Sequence, residues 1–326
     1  MQKPAKMRTN KIIISGATGA NGNALIYYAL EQQIEILAIC HRNSGRIERL
    51  PKSKNLRILE LNVDEYLNFA RNEKELAALG KYDCFFHLAW QGTTGIARND
   101  MDLQLSNIQY TLDAVELAAV LGCKCFIGAG SQAEYGRVEG KISSMTPVFP
   151  ENGYGIAKLC AGQMSRVRCK QLNMKHIWTR ILSVYGPGDG ENSLIMSAIN
   201  GFLNQGHTKF TAGMQKWDYL YSIDAARILM GLSEWGEDGR TYCVGSGKIK
   251  LLKEYIHQTF VTINGQDASD AQLGIGELPY MEKQVMYLQA DITEWPVELQ
   301  QEFVKKPMCR FEEGIKHTID WYKSIH

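Results

Sequence analysis

Three things are missing from this 326-residue chain: a long apolar run, an excess of one charge and an ordered pattern of cysteines. No stretch reaches the roughly 18 apolar residues that a bilayer span needs. The basic, polar residues 1–11 have no apolar core of the kind that opens a secreted protein. A soluble, cytoplasmic protein without membrane contacts is the expectation. Lys and Arg number 36 against 35 for Asp and Glu, a formal charge of +1. No global field therefore draws the chain to nucleic acid or to an acidic membrane, and any affinity for anions has to be local. The eight cysteines form no framework. Cys123 and Cys125 flank one residue of an apolar run, so in a strand they point to opposite faces and cannot clamp a zinc together. The seven histidines lack metal spacing too. Reduced thiols and no metal are expected. Internal repeats and low-complexity linkers are also missing.

What is present is an ordinary globular balance, 45% hydrophobic and 22% charged. Short apolar runs at Lys11–Ser15 and residues 34–40, 56–61, 84–88, 124–127 and 176–182 read as buried strands. Between them lie amphipathic segments, including Ala20–Glu31 and residues 103–121 and 154–172. That alternation predicts an α/β fold, a doubly wound parallel sheet of the Rossmann kind. After about Tyr185 the rhythm loosens at the turn cluster Gly186-Pro187-Gly188-Asp189-Gly190. A helix over 193–203, a strand and helix within 217–232, a strand at 241–244 and a closing helix over 311–322 follow. The expected division is residues 1–185 for a dinucleotide-binding domain and 186–326 for a smaller substrate lobe, with 217–245 returning to the first. A cleft should open above the strand ends.

The strand Lys11–Ser15 runs straight into Gly16-Ala17-Thr18-Gly19-Ala20-Asn21-Gly22 and then a helix. Glycines there permit a tight turn, close backbone approach to a pyrophosphate and close helix–strand packing. The helix N-terminus adds free N–H groups and partial positive charge. Cofactor contacts are expected from Gly16, Thr18, Gly19, Ala20, Asn21 and Gly22. At the end of the second strand an Asp or Glu would suit the ribose hydroxyls of NAD. The chain instead reads Cys40-His41-Arg42-Asn43-Ser44, with Arg46 close behind. A carboxylate repels a 2′-phosphate and a guanidinium grips it, so His41 and Arg42 favour NADP(H) over NAD(H). The plain alternative is that Arg42 is a solvated loop residue.

Tyr154-Gly155-Ile156-Ala157-Lys158 places a phenol and an ammonium one helical turn apart on one face. A free phenol titrates at about pH 10, and a neighbouring cation favours its ionised form. Gly130-Ser131 lies just past the strand at 124–127, where the cleft should open.

Together these features resemble the extended branch of the short-chain dehydrogenase/reductase family, the nucleotide-sugar epimerase/dehydratase type, over nearly the whole chain. Further segments carry the resemblance. Val63-Asp64 follows the third strand, His87-Leu88-Ala89-Trp90 the fourth, and Ser131-Gln132-Ala133-Glu134-Tyr135-Gly136 the fifth. Arg180 through Tyr185-Gly186-Pro187-Gly188 enters the second lobe. The resemblance implies that Tyr154 exchanges a proton with the sugar oxygen and that Ser131 hydrogen-bonds that oxygen. It implies that Lys158 holds the nicotinamide ribose and tunes Tyr154. Val63, Asp64, Leu88, Ala89 and Asn107 would line the cofactor, though Asn107 suits a buried structural role as well. It also implies a nucleotide-sugar substrate and a homodimer formed through the helices at 103–121 and 154–172.

The reaction is less defined. Relatives that eliminate water carry an Asp-Glu pair after the catalytic hydroxyl. Here Gln132 and Ala133 stand there, and Glu134, one place later, should face the other way if the strand continues. Epimerases keep NAD, whereas Arg42 suits a reductase that consumes NADPH, so reduction of a 4-keto-6-deoxy sugar is expected, with 4-epimerisation as the alternative. A cofactor-binding regulator and a reductase of other carbonyls are further readings. Family members carry Arg-Asp before the returning strand where this chain has Lys216-Trp217-Asp218. Trp90, Gln132, Asn192, Lys209, Lys216 and Trp217 are the candidate substrate contacts, Trp217 suiting the core and Asn192 a helix cap equally well.

Overall fold

The computed structural model describes residues 9–326 apart from 205 and 207. The chain begins β1 (Lys11–Ser15), α1 (Ala20–Glu31), β2 (Glu35–Cys40), β3 (Leu56–Glu60), α2 (Tyr66–Phe69), α3 (Glu73–Leu79) and β4 (Cys84–His87). It continues α4 (Met101–Val120), β5 (Cys125–Ser131), α5 (Gly153–Gln171) and β6 (Lys175–Ile181). Then come β7 (Ser183–Tyr185), α6 (Leu194–Leu203), β8 (Lys216–Trp217), β9 (Tyr219–Tyr221), α7 (Ser222–Trp235) and β10 (Arg240–Val244). The last elements are β11 (Lys250–Leu251), α8 (Leu252–Asn264), β12 (Tyr287–Leu288), α9 (Val297–Lys305) and α10 (Phe311–Ile325).

Seven strands make one parallel sheet in the order β10-β6-β5-β4-β1-β2-β3. Both faces are covered, which is why its strands read as nearly continuous apolar runs. Strand parity divides the core. Ile12, Ile14, Ile36, Ala38, Cys125 and Ile127 pack under α1 and α7. Ile13, Leu37, Ile39, Phe85 and Phe126 pack under α4 with Tyr66 and Cys169. Cys123 and Cys125 fall into opposite layers. The strand order reverses between β1 and β4, and a ligand crevice opens beyond the carboxyl ends at such a point.

Two differences from the sequence reading matter for the site. The fifth strand runs on through Gly128, Ala129 and Gly130, so Ser131 is its last residue and not a loop residue beyond it. The reason is tertiary: a Cβ at Gly128 or Gly130 would sit 2.2–2.3 Å from the Trp178 ring lying across them. In addition, α2, α3, α8 and α9 were not expected from the sequence.

Beyond Tyr185 much of the chain gathers into a further packed region. Its core is Tyr185, Met196, Tyr221, Tyr255, Phe311 and Ile315, beneath α6, α8 and α10. Small sheets β7-β9 and β11-β8-β12 complete it. Between these, α7 lies against α1 and β10 joins the edge of the large sheet. Asp218, fully buried, ties the parts together by accepting from the Ser246 and Gly247 amides, the Ser246 hydroxyl and the Ala290 amide at 2.6–3.0 Å. Among the described residues no helix is long and apolar enough to cross a membrane.

Candidate active site

The turn after β1 is built for close approach. Gly16 has φ +69°, and a Cβ there would lie 2.7 Å from the Ala89 amide nitrogen. A Cβ on Gly22 would lie 2.3 Å from the Gly16 carbonyl oxygen, so the helix can press onto the turn only with glycine at that position. Gly19 is the N-cap of α1 and brings no side-chain cap, nor is there an acid in the first turn, so the helix-end amides stay available to an anion. Thr18, Ala20 and Asn21 are half-buried around this end. The side-chain oxygen of Asn21 is buried without a hydrogen-bond partner, an acceptor left for a ligand. Leu88 and Ala89 form the opposite wall, with the Ala89 amide donating to Ser15 Oγ at 3.4 Å. A dinucleotide's pyrophosphate fits this cradle.

The residues after β2 behave differently from expectation. Arg42 is held by Glu65 through Nε at 2.9 Å and Nη2 at 3.1 Å, and its amide donates to the Asn62 side chain. Its fork is therefore already occupied by a carboxylate and does not stand open for a 2′-phosphate, as the sequence reading required. His41 is exposed and bonded to the neighbouring Arg42 carbonyl. Arg46 and Arg49 instead line a recess with Thr18, Asn23, Gly188 and Asp189, and no carboxylate pairs with either among the described residues. Asp64 is exposed on the turn after β3, and Val63 is half-buried against the core.

Ser131, Tyr154 and Lys158 converge at the carboxyl edge of the sheet. Ser131 ends β5, and its hydroxyl accepts from the Ala133 amide at 3.2 Å. Tyr154 is on the first turn of α5, which Asn152 caps by accepting from the Gly155 amide at 2.8 Å. Lys158, one turn on, is almost fully buried. Its ammonium donates to the Ala129 carbonyl at 2.5 Å and lies 3.7 Å from the centre of the Trp90 ring. Burial brings its pKa down to about 7, against an upward pull from Glu134. Burial pushes the Tyr154 phenol up, while a hydrogen bond with Ser131 and the Arg98 charge hold it back. Lys158 lies 5.8 Å from the centre of the phenol ring.

Comparisons with known proteins agree with this geometry. The profile of the NAD dependent epimerase/dehydratase family matches residues 12–245. The chain belongs to that family. Among curated relatives, dTDP-4-dehydro-6-deoxyglucose reductase of Escherichia coli is 25% identical over 79% of this chain and 83% of its own length. The dTDP-6-deoxy-L-talose 4-dehydrogenase (NAD(+)) of Aggregatibacter actinomycetemcomitans is 30% identical over 76% of this chain and 88% of its length. Among solved structures, UDP-N-acetylglucosamine 4-epimerase from Methanobrevibacter ruminantium M1 superimposes with a TM-score of 0.81 at 19% identity, covering 98% of this chain and all of that one. The chain is accordingly an enzyme of the extended short-chain dehydrogenase/reductase type.

Around this epimerase/dehydratase-family centre, several expected contacts are placed otherwise. The Asn107 amide is used up by the loop after β4, accepting from the Gln91 amide and donating to the Gln91 and Leu103 carbonyls at 2.9–3.0 Å, so its role is to hold that loop. Trp90 stands beside Tyr154 and Lys158, its ring perpendicular to that of Tyr154, its indole donating to Gln104. Gln132 is half-buried next to Ser131. Asn192 is exposed and caps nothing, because Ser193 caps α6 by accepting from the Met196 amide. Lys209 is exposed, 3.8 Å from Glu277, and Lys216 is exposed on β8. Trp217 donates to Ser183 at 2.8 Å and packs between two core clusters.

Glu134 is not turned away by strand alternation, since β5 has ended and a single 3-10 turn carries it. It points into the core, fully buried, and accepts from Arg180 Nε at 2.7 Å, Trp178 Nε1 at 3.0 Å and the Ser131 amide at 2.8 Å. Sequence reasoning missed this ion pair. It also missed Arg98, whose guanidinium lies 4.5 Å from the centre of the Tyr154 ring. No local pattern marks either contact.

Proposed function

We propose that this enzyme reduces a 4-keto-6-deoxy sugar carried on a nucleotide, with Tyr154 as proton donor. The observation that carries the choice is Glu134. Elimination of water needs a carboxyl group free to take up and deliver protons, and the one acid beside Ser131 is closed inside an ion pair with Arg180. The phenol's upward shift suits the same direction, because Tyr154 stays protonated at neutral pH and ready to give its proton. Two relatives named for redox chemistry at C4 of 6-deoxyhexoses support the substrate class.

In this reading residues 1–185 hold the cofactor and 186–326 the substrate, save the segment that returns to the sheet. Gly16, Gly19 and Gly22 admit the pyrophosphate, and Asn21 offers its unpartnered oxygen to a donor on the cofactor. When bound, a reduced nicotinamide supplies the hydride. Ser131 donates a hydrogen bond to the keto oxygen as charge gathers there, and Tyr154 transfers its proton to that oxygen. Lys158 would hydrogen-bond the ribose hydroxyls from its place beside Ala129 and Trp90. NADP(H) keeps support from Arg46 and Arg49 beside Thr18, and no longer from Arg42.

The paired Arg42 favours a second reading, a 4-epimerase that retains NAD. Solved relatives of like fold hold NAD, among them UDP-glucuronic acid 4-epimerase from Bacillus cereus. A homodimer through α4 and α5 is part of the proposal, since Leu105, Ile156 and Val167 on these helices are more than half exposed.

The experiment offers dTDP-4-keto-6-deoxyglucose with NADPH or NADH to the purified protein and to Tyr154→Phe. Nicotinamide oxidation by wild type alone, with equal cofactor binding by both, is expected. Equal turnover by Tyr154→Phe would refute the proton-donor role. Tightly bound NAD with no net oxidation would favour the epimerase.

A further inference from the structure

We propose that Trp90 is the positioning residue for Lys158: its ring face stands in for a counter-ion and holds the ammonium where a cofactor's ribose would meet it. Lys158 Nζ lies 3.7 Å from the centre of the Trp90 ring, close contact for a cation over an aromatic face. Its hydrogen bond runs to the Ala129 carbonyl at 2.5 Å. The side chain is almost fully buried, and enclosure works against a charge that has no partner.

The other groups around Lys158 do not supply that partner. Glu134, from the turn after β5, acts on it only through its charge, and spends its oxygens on Arg180, Trp178 and the Ser131 amide. His87, at the end of β4, is bonded to Ser15 Oγ at 2.9 Å, and burial brings its pKa down to about 3, so it is neutral. Tyr154, one turn earlier on α5, has its ring centre 5.8 Å away. Among the described residues no carboxylate forms an ion pair with Lys158, and the indole face remains. A carboxylate in its place would engage the ammonium through directed lone pairs and compete with hydroxyl groups for it. A ring face attracts the charge and leaves the N–H donors exchangeable.

The ring is clamped in this pose. Its Nε1 donates to Gln104 Oε1 at 3.0 Å, and Gln104 Nε2 donates in turn to the Gly92 and Ala97 carbonyls at 3.0 and 2.9 Å. Turning that amide over would set N–H against N–H and oxygen against oxygen, so its orientation is fixed. Asn107 holds the next residue, accepting from the Gln91 amide at 3.0 Å and donating to the Gln91 carbonyl at 2.9 Å. Gly92, at φ +69°, closes the loop, since a Cβ there would lie 2.7 Å from the Leu103 side chain. On the other side Ala89 lies against Gly16. Residues 89–92 thus form a strap that carries the ring from the cofactor turn to the ammonium, with Tyr154 perpendicular to it, ring centres 6.1 Å apart.

The inference deepens the proposed function, since it rests on Lys158 holding the ribose hydroxyls, and its test reads cofactor binding with no sugar present, so it can fail apart from the choice of reaction. NADPH and NADH are titrated by calorimetry into wild type, Trp90→Leu, Trp90→Phe, Lys158→Met and Trp90→Leu/Lys158→Met. Losing the face should weaken binding about tenfold in Trp90→Leu. Trp90→Phe, which keeps a ring and loses the bond to Gln104, should lie between Trp90→Leu and wild type. In the Lys158→Met background Trp90→Leu should cost nothing more. Losses that add independently would mean that the ring acts without Lys158 and would overturn the proposal, as would unchanged affinity in Trp90→Leu. If Lys158→Met binds as wild type does, the reading of Lys158 itself fails, and the proposal with it. If the leucine variant does not fold, fluorinated tryptophans inserted at position 90 decide. They weaken the negative potential of the face at nearly constant volume, so affinity should fall with each fluorine in wild type and stay level in Lys158→Met. No fall with fluorination overturns the proposal.

Discussion

Replacing Glu134 by Gln removes one charge and adds no volume, so its cost comes almost wholly from electrostatics and hydrogen bonding. The carboxylate is completely enclosed, and the Arg180 side chain it holds is only 5% exposed. Without the carboxylate the guanidinium, stacked 4.5 Å from the Tyr135 ring centre, remains inside with no counter-ion. Breaking a buried pair from one side costs about 3–5 kcal/mol. The amide can still accept from Trp178 or Ser131, but it must present an N–H group to one of three donors, so the lower end of that range is a floor. Against a total stability of about 5–15 kcal/mol this is a large fraction, a fall in unfolding midpoint on the order of 10 °C. The assay is urea unfolding followed by tryptophan fluorescence, with the double variant Glu134→Gln/Arg180→Met recovering part of the loss. A Glu134→Gln protein within about 1 kcal/mol of wild type would refute the reasoning. If that variant lost only a dehydration activity, Glu134 would be a catalytic acid.

Gly16→Ala meets both a positive φ and the Ala89 backbone at 2.7 Å; strain of about 1–3 kcal/mol and loss of nicotinamide binding are expected, checked by thermal unfolding and cofactor titration. His257 has both ring nitrogens 2.7 Å from carboxylates, Asp267 and Asp270. Although desolvation lowers its pKa, those two hydrogen bonds raise it more, and the net shift is upward. Its stabilisation is therefore full below its ordinary pKa and is lost as pH rises through the raised one. The midpoint difference between wild type and His257→Gln should shrink steadily above about pH 6.5, and a constant difference would refute the bridge. Met164→Glu, which places a charge on the exposed α5 face, should yield monomers in sedimentation; an unchanged dimer would move the interface elsewhere.

Some of this was legible because it is local. Apolar runs of strand length between amphipathic segments specify a covered parallel sheet, and β1 and α1 fall where the pattern puts them. The glycine turn states its own purpose, since only a missing Cβ allows Gly16 to touch Ala89 and Gly22 to touch Gly16. A spacing of four places Tyr154 and Lys158 on one helix face wherever the helix goes.

Other features depended on which strands became neighbours. Arg42 reads as a phosphate grip until the turn after β3 brings Glu65 to it, 23 residues away. Glu134 reads as a stray acid until β6 sets Arg180 beside it, 46 residues on. β5 seems to end early because its glycines hide the Trp178 ring that requires them. Lys158 has the expected position, but burial lowers its pKa, and burial belongs to the packed structure. Sequence alone determined most strands of the large sheet, the glycine turn after β1 and the placing of Tyr154 and Lys158 on one helix face, all governed by contacts within a few residues. Only tertiary structure decided which charges are cancelled and which remain free, because that depends on distances between segments that the chain order does not contain.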